Sequence, residues 1–127
     1  MQITLKLFKM KKILLTFIFL LGCLSIYADT NPSFPGGEQA LNKYLTENVK
    51  YPAIAMENGV EGVVLVGFLV TADGQIQNAK IVKFIDPDLE KEALRVVLAM
   101  PAWLPAEQNG VAVEAQAQVS VPFILPE

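Results

Sequence analysis

Apolar positions follow three different rhythms along this chain, and each rhythm predicts an element. From Ile13 to Ile26 they run almost unbroken behind Lys6, Lys9, Lys11 and Lys12, and Ala28 closes the run. Leu41, Tyr44, Leu45 and Val49 recur at helical spacing, which predicts a helix over Glu38–Val49. Tyr51-Pro52 breaks it, because a residue before proline avoids helical angles. Pro52 then suits the first position of a short second helix, Pro52–Asn58, with Gly59 as a left-handed cap. In Gly62–Thr71 the apolar residues are nearly continuous and often β-branched, which predicts a central strand. Gly67 within it implies a close neighbour. Asp73-Gly74 is turn chemistry, and Gln75–Lys83 is the returning strand.

The second half repeats the alternation of helix and strand. Asp86-Pro87 is a cap followed by a proline at the first helical position, and Leu89, Ala93, Val96, Val97 and Met100 form a stripe ended by Pro101. After the Asn109-Gly110 turn, Val111, Val113, Ala115, Ala117, Val119 and Val121 alternate with Ala112, Glu114, Gln116, Gln118 and Ser120. This predicts one strand, Val111–Val121, with a buried and a wet face. Pro122 cannot donate to a ladder and so belongs at an edge. The order helix–helix–strand–strand–helix–strand predicts an α+β domain, a small antiparallel sheet with helices packed on one face.

The segments before this domain read differently. A basic flank, a short apolar run and a small closing residue describe a signal peptide over residues 1–28, with Met10 as an alternative start. Residues 29–37 form a short leader with turn chemistry and no periodicity, and residues 38–127 form the domain. Leu20-Leu21-Gly22-Cys23 also resembles a lipobox, which makes Cys23 the lipidation candidate of a membrane-anchored lipoprotein. An uncleaved anchor is the third alternative, although Ile13–Ala28 falls short of the roughly 20 residues a membrane helix needs. The membrane is expected to be involved only through this segment, and the exported form is expected in the periplasm.

Charge and residue inventory narrow the chemistry. Without its first 28 residues the chain keeps six basic side chains against 13 acidic ones, a net charge of −7. Phosphate polymers would be repelled, so no nucleic acid is expected as a partner. There is no histidine, and Cys23 is the one cysteine, so the commonest general base and a disulfide framework are both missing. The carboxylates have structural readings: Asp73 in its turn, Asp86 as a cap, Asp88 and Glu90 at the positive end of the helix dipole, and Glu92 on a solvated helix face. A calcium site over Asp86–Glu90 has too few oxygens, and Gly36-Gly37 lacks the spacing and lysine of a phosphate loop. Trp103, between Pro101 and Pro105, reads as a plug at one end of the core. No catalytic residue, metal site or cofactor is expected. What remains is the last strand. An unpaired edge there would offer N–H and C=O groups to an extended peptide, while a protected edge would make it an ordinary sheet strand.

The order of several short motifs resembles the TonB C-terminal domain family. They are Tyr51-Pro52-Ala53 with Ala55, Glu61-Gly62-Val63-Val64, Phe68-Leu69-Val70, and Asp73-Gly74-Gln75-Ile76. Pro87, Leu89, Glu92-Ala93, Trp103 with Pro105-Ala106, and Pro122-Phe123 follow, and Phe34-Pro35-Gly36-Gly37 is similar to the leader of Bacteroidetes versions. The resemblance implies a ββαβ core without enzymatic activity. It also implies that the last strand, here Val113, Glu114, Ala115, Gln116, Ala117, Gln118 and Val119, pairs with the TonB box near the N-terminus of outer-membrane transporters. Asn48 and Lys50, just before Tyr51-Pro52, match positions that touch the box. Isolated domains of the family also form homodimers by strand exchange. A complete transducer carries a membrane helix, typically with a histidine, and a long Pro-rich linker, whereas here nine residues separate residue 28 from the first helix. The expectation is therefore a free-standing relative of the binding domain. A short complete energy transducer and an envelope interaction or scaffold protein are the alternatives.

Overall fold

The computed structural model describes residues 29–127. The signal-peptide, lipidation and anchor expectations all fall on residues 1–28, outside the described residues. The elements in chain order are β1 (Asp29–Thr30), α1 (Gly37–Asn48), α2 (Ala53–Glu57), β2 (Gly62–Val70), β3 (Ile76–Lys83), α3 (Pro87–Leu98), β4 (Ala106–Gln108), β5 (Val111–Val113) and β6 (Ala115–Phe123). The architecture is α+β, with mixed helices and antiparallel sheets.

Two three-stranded sheets divide the strands. The main one has the order β3-β2-β6, and the smaller one the order β1-β4-β5, both antiparallel. β2 is central, as its continuous apolar run predicts. Its Val64, Val66, Phe68 and Val70 are buried on the helix side beside Val119, Val121 and Phe123 of β6. Its opposite face is only half covered, and Val63 is exposed there. A Cβ built on Gly67 would lie 2.9 Å from Cγ2 of Val82, so the close neighbour that this glycine implies is a β3 side chain.

Local chemistry sets the helix ends. The Asp86 carboxylate accepts the free N–H groups of Asp88 and Leu89 at the start of α3, with Pro87 at the first helical position. Glu90 reaches back to accept the Ile85 N–H at 2.8 Å. Leu89, Ala93, Val96 and Val97 are fully buried under the sheet. Leu41 and Leu45 bury the inner side of α1, and the Tyr44 hydroxyl donates to the Val96 carbonyl at 2.8 Å, tying the two helices. Trp103 does plug one end of the core. Its ring stands edge-on to Phe68 at 5.1 Å and to Phe34 at 6.0 Å, and its indole N–H donates to Met100 Sδ.

Three sequence expectations need correction. The alternation from Val111 to Val121 predicts one strand, but the pairing breaks at Glu114 to give β5 and β6. The reason is the length of the partner. β2 ends at Val70, opposite Ala115, and the chain there turns away through Thr71–Gln75. Residues 111–113 take β4 instead, across the Asn109-Gly110 turn, whose two residues both have positive φ. The 29–37 leader, read as turn chemistry without periodicity, also contributes a short strand. β1 pairs with β4, and Ser33 and Leu104 exchange main-chain hydrogen bonds of 3.0 and 2.8 Å. Two exposed residues carry no periodicity, so no sequence signal marks such a strand.

Glu92 is the third correction. Its side chain is only 11% exposed, not solvated. It accepts the Lys50 N–H at 2.7 Å and holds Arg95 through two bonds of 2.7 and 2.8 Å, while Arg95 Nη2 donates to the Asn48 carbonyl at 2.9 Å. The cluster latches the C-terminal end of α1 onto α3. Hydrogen bonding to Arg95 is the main influence that holds the Glu92 carboxyl below its usual range; partial burial opposes it and the Lys50 N–H adds to it. Because the folded group has the lower pKa, its contribution is complete above the unfolded value near pH 4.3 and disappears as pH falls through the folded value. Glu92→Gln should therefore cost about 1 kcal/mol at pH 7, limited by solvent around the half-exposed Arg95, and should flatten the acid limb. Thermal melts between pH 3 and pH 7 check this; an unchanged acid limb would show that the latch carries no charge-dependent stability.

Candidate peptide-binding edge

The candidate site is the outer flank of β6. β6 terminates the main sheet and pairs with β2 over nine consecutive residues, Gly62↔Phe123 to Val70↔Ala115, without a register shift. The direction of its main chain follows from two observations. Thr71 donates its N–H toward β3, to the Gln75 carbonyl at 2.9 Å, so its neighbour Val70 must face β6 and Ala115. With an unbroken register, Ala115, Ala117, Val119, Val121 and Phe123 then bond to β2, and Gln116, Gln118, Ser120 and Pro122 turn outward. Pro122, which has no N–H, falls on the outward set as this requires.

The free flank continues into β5. A two-residue turn at Asn109-Gly110 makes Gln108↔Val111 a hydrogen-bonded pair, so Val111 and Val113 face β4. Exposure alternates without a slip through Val113, Glu114, Ala115 and Gln116. Both pairing partners therefore lie on the same side of the chain. The opposite side, from Ala112 to Ser120, receives no hydrogen bond from any other segment among the described residues.

The other edge of the main sheet is built differently. β3 has two register irregularities against β2, Asn78 sits at φ 55°, and Lys80 and Lys83 are exposed on it. Bulges and lysines are the usual means of keeping an edge from pairing. β6 has a regular ladder and carries no lysine, so one edge is blunted and the other left open.

α1 walls the open flank and leaves two grooves beside β6. One, about 350 Å³, lies near its C-terminal end among Leu45, Thr46, Val49, Tyr51 and Phe123. The other, about 360 Å³, lies near Gln116–Gln118 among Phe34, Glu38, Leu41 and Trp103. The Tyr51 hydroxyl donates to the Val60 carbonyl, and its ring meets Phe123 edge-on at 5.6 Å, so the wall of the first groove is held from two sides.

The expected site residues separate accordingly. Ala115, Gln116, Ala117, Gln118 and Val119 lie together on β6. Val113 ends β5, and Glu114 is the unpaired residue between the strands. Asn48 and Lys50 line neither of the grooves beside β6. Asn48 donates to the Tyr44 carbonyl, and Lys50 lines a depression shared with Pro52, Asp88 and Glu92. Their neighbours Val49 and Tyr51 line the β6 groove instead. The groove-facing residues of α1, Asn42 and Thr46 among them, were not anticipated; an exposed polar helix position has no mark that distinguishes a groove wall from open surface.

Residues 47–125 match the family model described as Gram-negative bacterial TonB protein C-terminal. The chain belongs to that family. Two NMR structures of the Helicobacter pylori TonB C-terminal domain share the fold, each with a TM-score of 0.53. The one spanning residues 179–285 of that protein is 24% identical and covers 68% of this chain and 78% of its own. The one spanning 194–285 is 23% identical and covers 70% and 94%. No curated protein matches the chain. TonB C-terminal domains are envelope interaction domains rather than enzymes, and the family interacts with outer-membrane transporters. Among the described residues of this TonB C-terminal-like chain, no helix is long and apolar enough to cross a membrane.

Proposed function

We propose that this chain is a periplasmic peptide-binding module of TonB-dependent transport, and that its β6 flank takes up the TonB box of an outer-membrane transporter as an added strand. The observation that carries the reading is the row of unused main-chain groups at Gln116, Gln118 and Ser120 on a regular strand. Backbone bonds to that row supply affinity without chemistry, as in other strand-addition complexes. The blunted β3 edge supports β6 as the docking side, since a domain with two open edges would be prone to self-association. In this reading residues 1–28 direct export.

Calorimetric titration of the full chain with the N-terminal extension of an outer-membrane transporter, with and without its TonB box, tests the proposal. Binding that requires the box and moves the amides of Gln116, Gln118 and Ser120 is the expected result. Binding that survives loss of the box, or that moves only amides elsewhere, would refute it.

A further inference from the structure

The two grooves lie on the same side of β6, at measurable positions along it. One abuts Ala117 and the other abuts Phe123. Ala117 and Phe123 are six residues apart, about 20 Å in an extended strand, and both point to the helix side with Val119 and Val121. A strand paired to the β6 flank places each of its side chains on the same face as the β6 residue opposite. Its residues opposite Ala117 and Phe123 therefore point at α1, one into each groove. An even separation keeps both on that face whichever way the added strand runs.

The grooves also indicate the side chains they suit. Leu45, Val49, Tyr51 and Phe123 give the C-terminal groove apolar walls, and it has no charged lining residue. Phe34, Leu41 and Trp103 supply the apolar surface of the other, with Glu38 as its one charge. The outward main-chain groups of Gln118 and Ser120 between them commit the occupant to an extended peptide, because only a strand satisfies those donors and acceptors; Pro122, without an N–H, ends the row at the lip of the C-terminal groove, where the peptide is held by its side chain and not by a ladder bond.

We propose that the paired grooves read apolar side chains six positions apart, so the recognised segment is an extended peptide of at least seven residues with an apolar residue at each end of that interval. This rests on the strand-pairing reading above. Selectivity is then a spacing rule, with the intervening residues held chiefly by their backbone.

The probe is a blocked nine-residue peptide of alternating threonine and serine with leucine at its second and eighth positions, a pattern symmetric to strand direction. Controls carry leucine at the second and sixth positions, or at the second and seventh, which fall on opposite faces. The full chain should bind the first peptide at least tenfold more tightly than either control. Thr46→Trp, an exposed α1 position lining the C-terminal groove, should abolish that advantage. Equal binding of all three peptides, with shifts at Gln116–Ser120, would overturn the spacing rule and leave strand pairing intact. A TonB-box peptide that moves those amides when none of the three does would also overturn the rule. If the TonB-box peptide fails as well, strand pairing falls with it.

Discussion

Gln118→Pro should remove peptide binding while leaving the chain folded, and Ala117→Pro, one residue away, should do the reverse damage. Gln118 faces outward, opposite Gly67, and its N–H is not used by β2. Proline there deletes one donor from the free flank and places its ring where an added strand would approach. Loss of one such bond together with the steric obstruction should weaken a TonB-box peptide at least tenfold, about 1.4 kcal/mol. The melting temperature should change little. Ala117 faces Phe68 within the ladder, so proline there breaks a β2 bond beneath a buried aromatic and should destabilise the domain by about 3 kcal/mol or more. Circular dichroism melts and calorimetry on both variants check the pair. Two variants that melt alike would show that the assignment of inward and outward positions is incorrect.

Gly74→Ala should be the most damaging single-methyl change in the domain. The turn residue has φ +85°, and a Cβ built on it would lie 2.2 Å from the Trp103 carbonyl oxygen and within 3.4 Å of its carbonyl carbon and nitrogen. These are main-chain atoms, and they cannot swing aside. The Trp103 N–H also donates to the Gly74 carbonyl at 2.8 Å, so relief of the clash pulls on the residue that plugs the core. The left-handed penalty alone is about 1 kcal/mol, and displacing a buried tryptophan adds several more. A loss of about 3 kcal/mol or more in chemical denaturation is expected. Gly110→Ala is the comparison: φ is +78°, but nothing lies within 4 Å, so only the conformational penalty of about 1 kcal/mol should appear. Equal losses at the two sites would show that the Trp103 contact is not the cause.

The contrast between these two glycines illustrates what the sequence discloses. Asp73-Gly74 and Asn109-Gly110 both read as turns, because turn preference is local. That Trp103 sits over one and open solvent over the other is tertiary. The same division holds elsewhere. The Asp86-Pro87 cap and the apolar run of β2 are written in neighbouring residues and were legible. The break at Glu114 was not, because it depends on where β2 stops, some 45 positions earlier in the chain. Alternation through Gln116 and Gln118 marked a half-buried strand, yet it could not show which flank of that strand was free. That followed only from the Thr71–Gln75 bond and from Pro122. Glu92 looked like any exposed helix carboxylate until the end of α1 arrived beside it.

Amide hydrogen exchange, resolved residue by residue on the full chain with and without a TonB-box peptide, tests the central claim most directly. In the free chain Ala117, Val119 and Val121 should be protected, and Gln116, Gln118 and Ser120 should exchange fast. With peptide present the second set should become protected while the first stays as it was. Protection of Gln118 and Ser120 before any peptide is added, or fast exchange at both after saturation, would contradict the account.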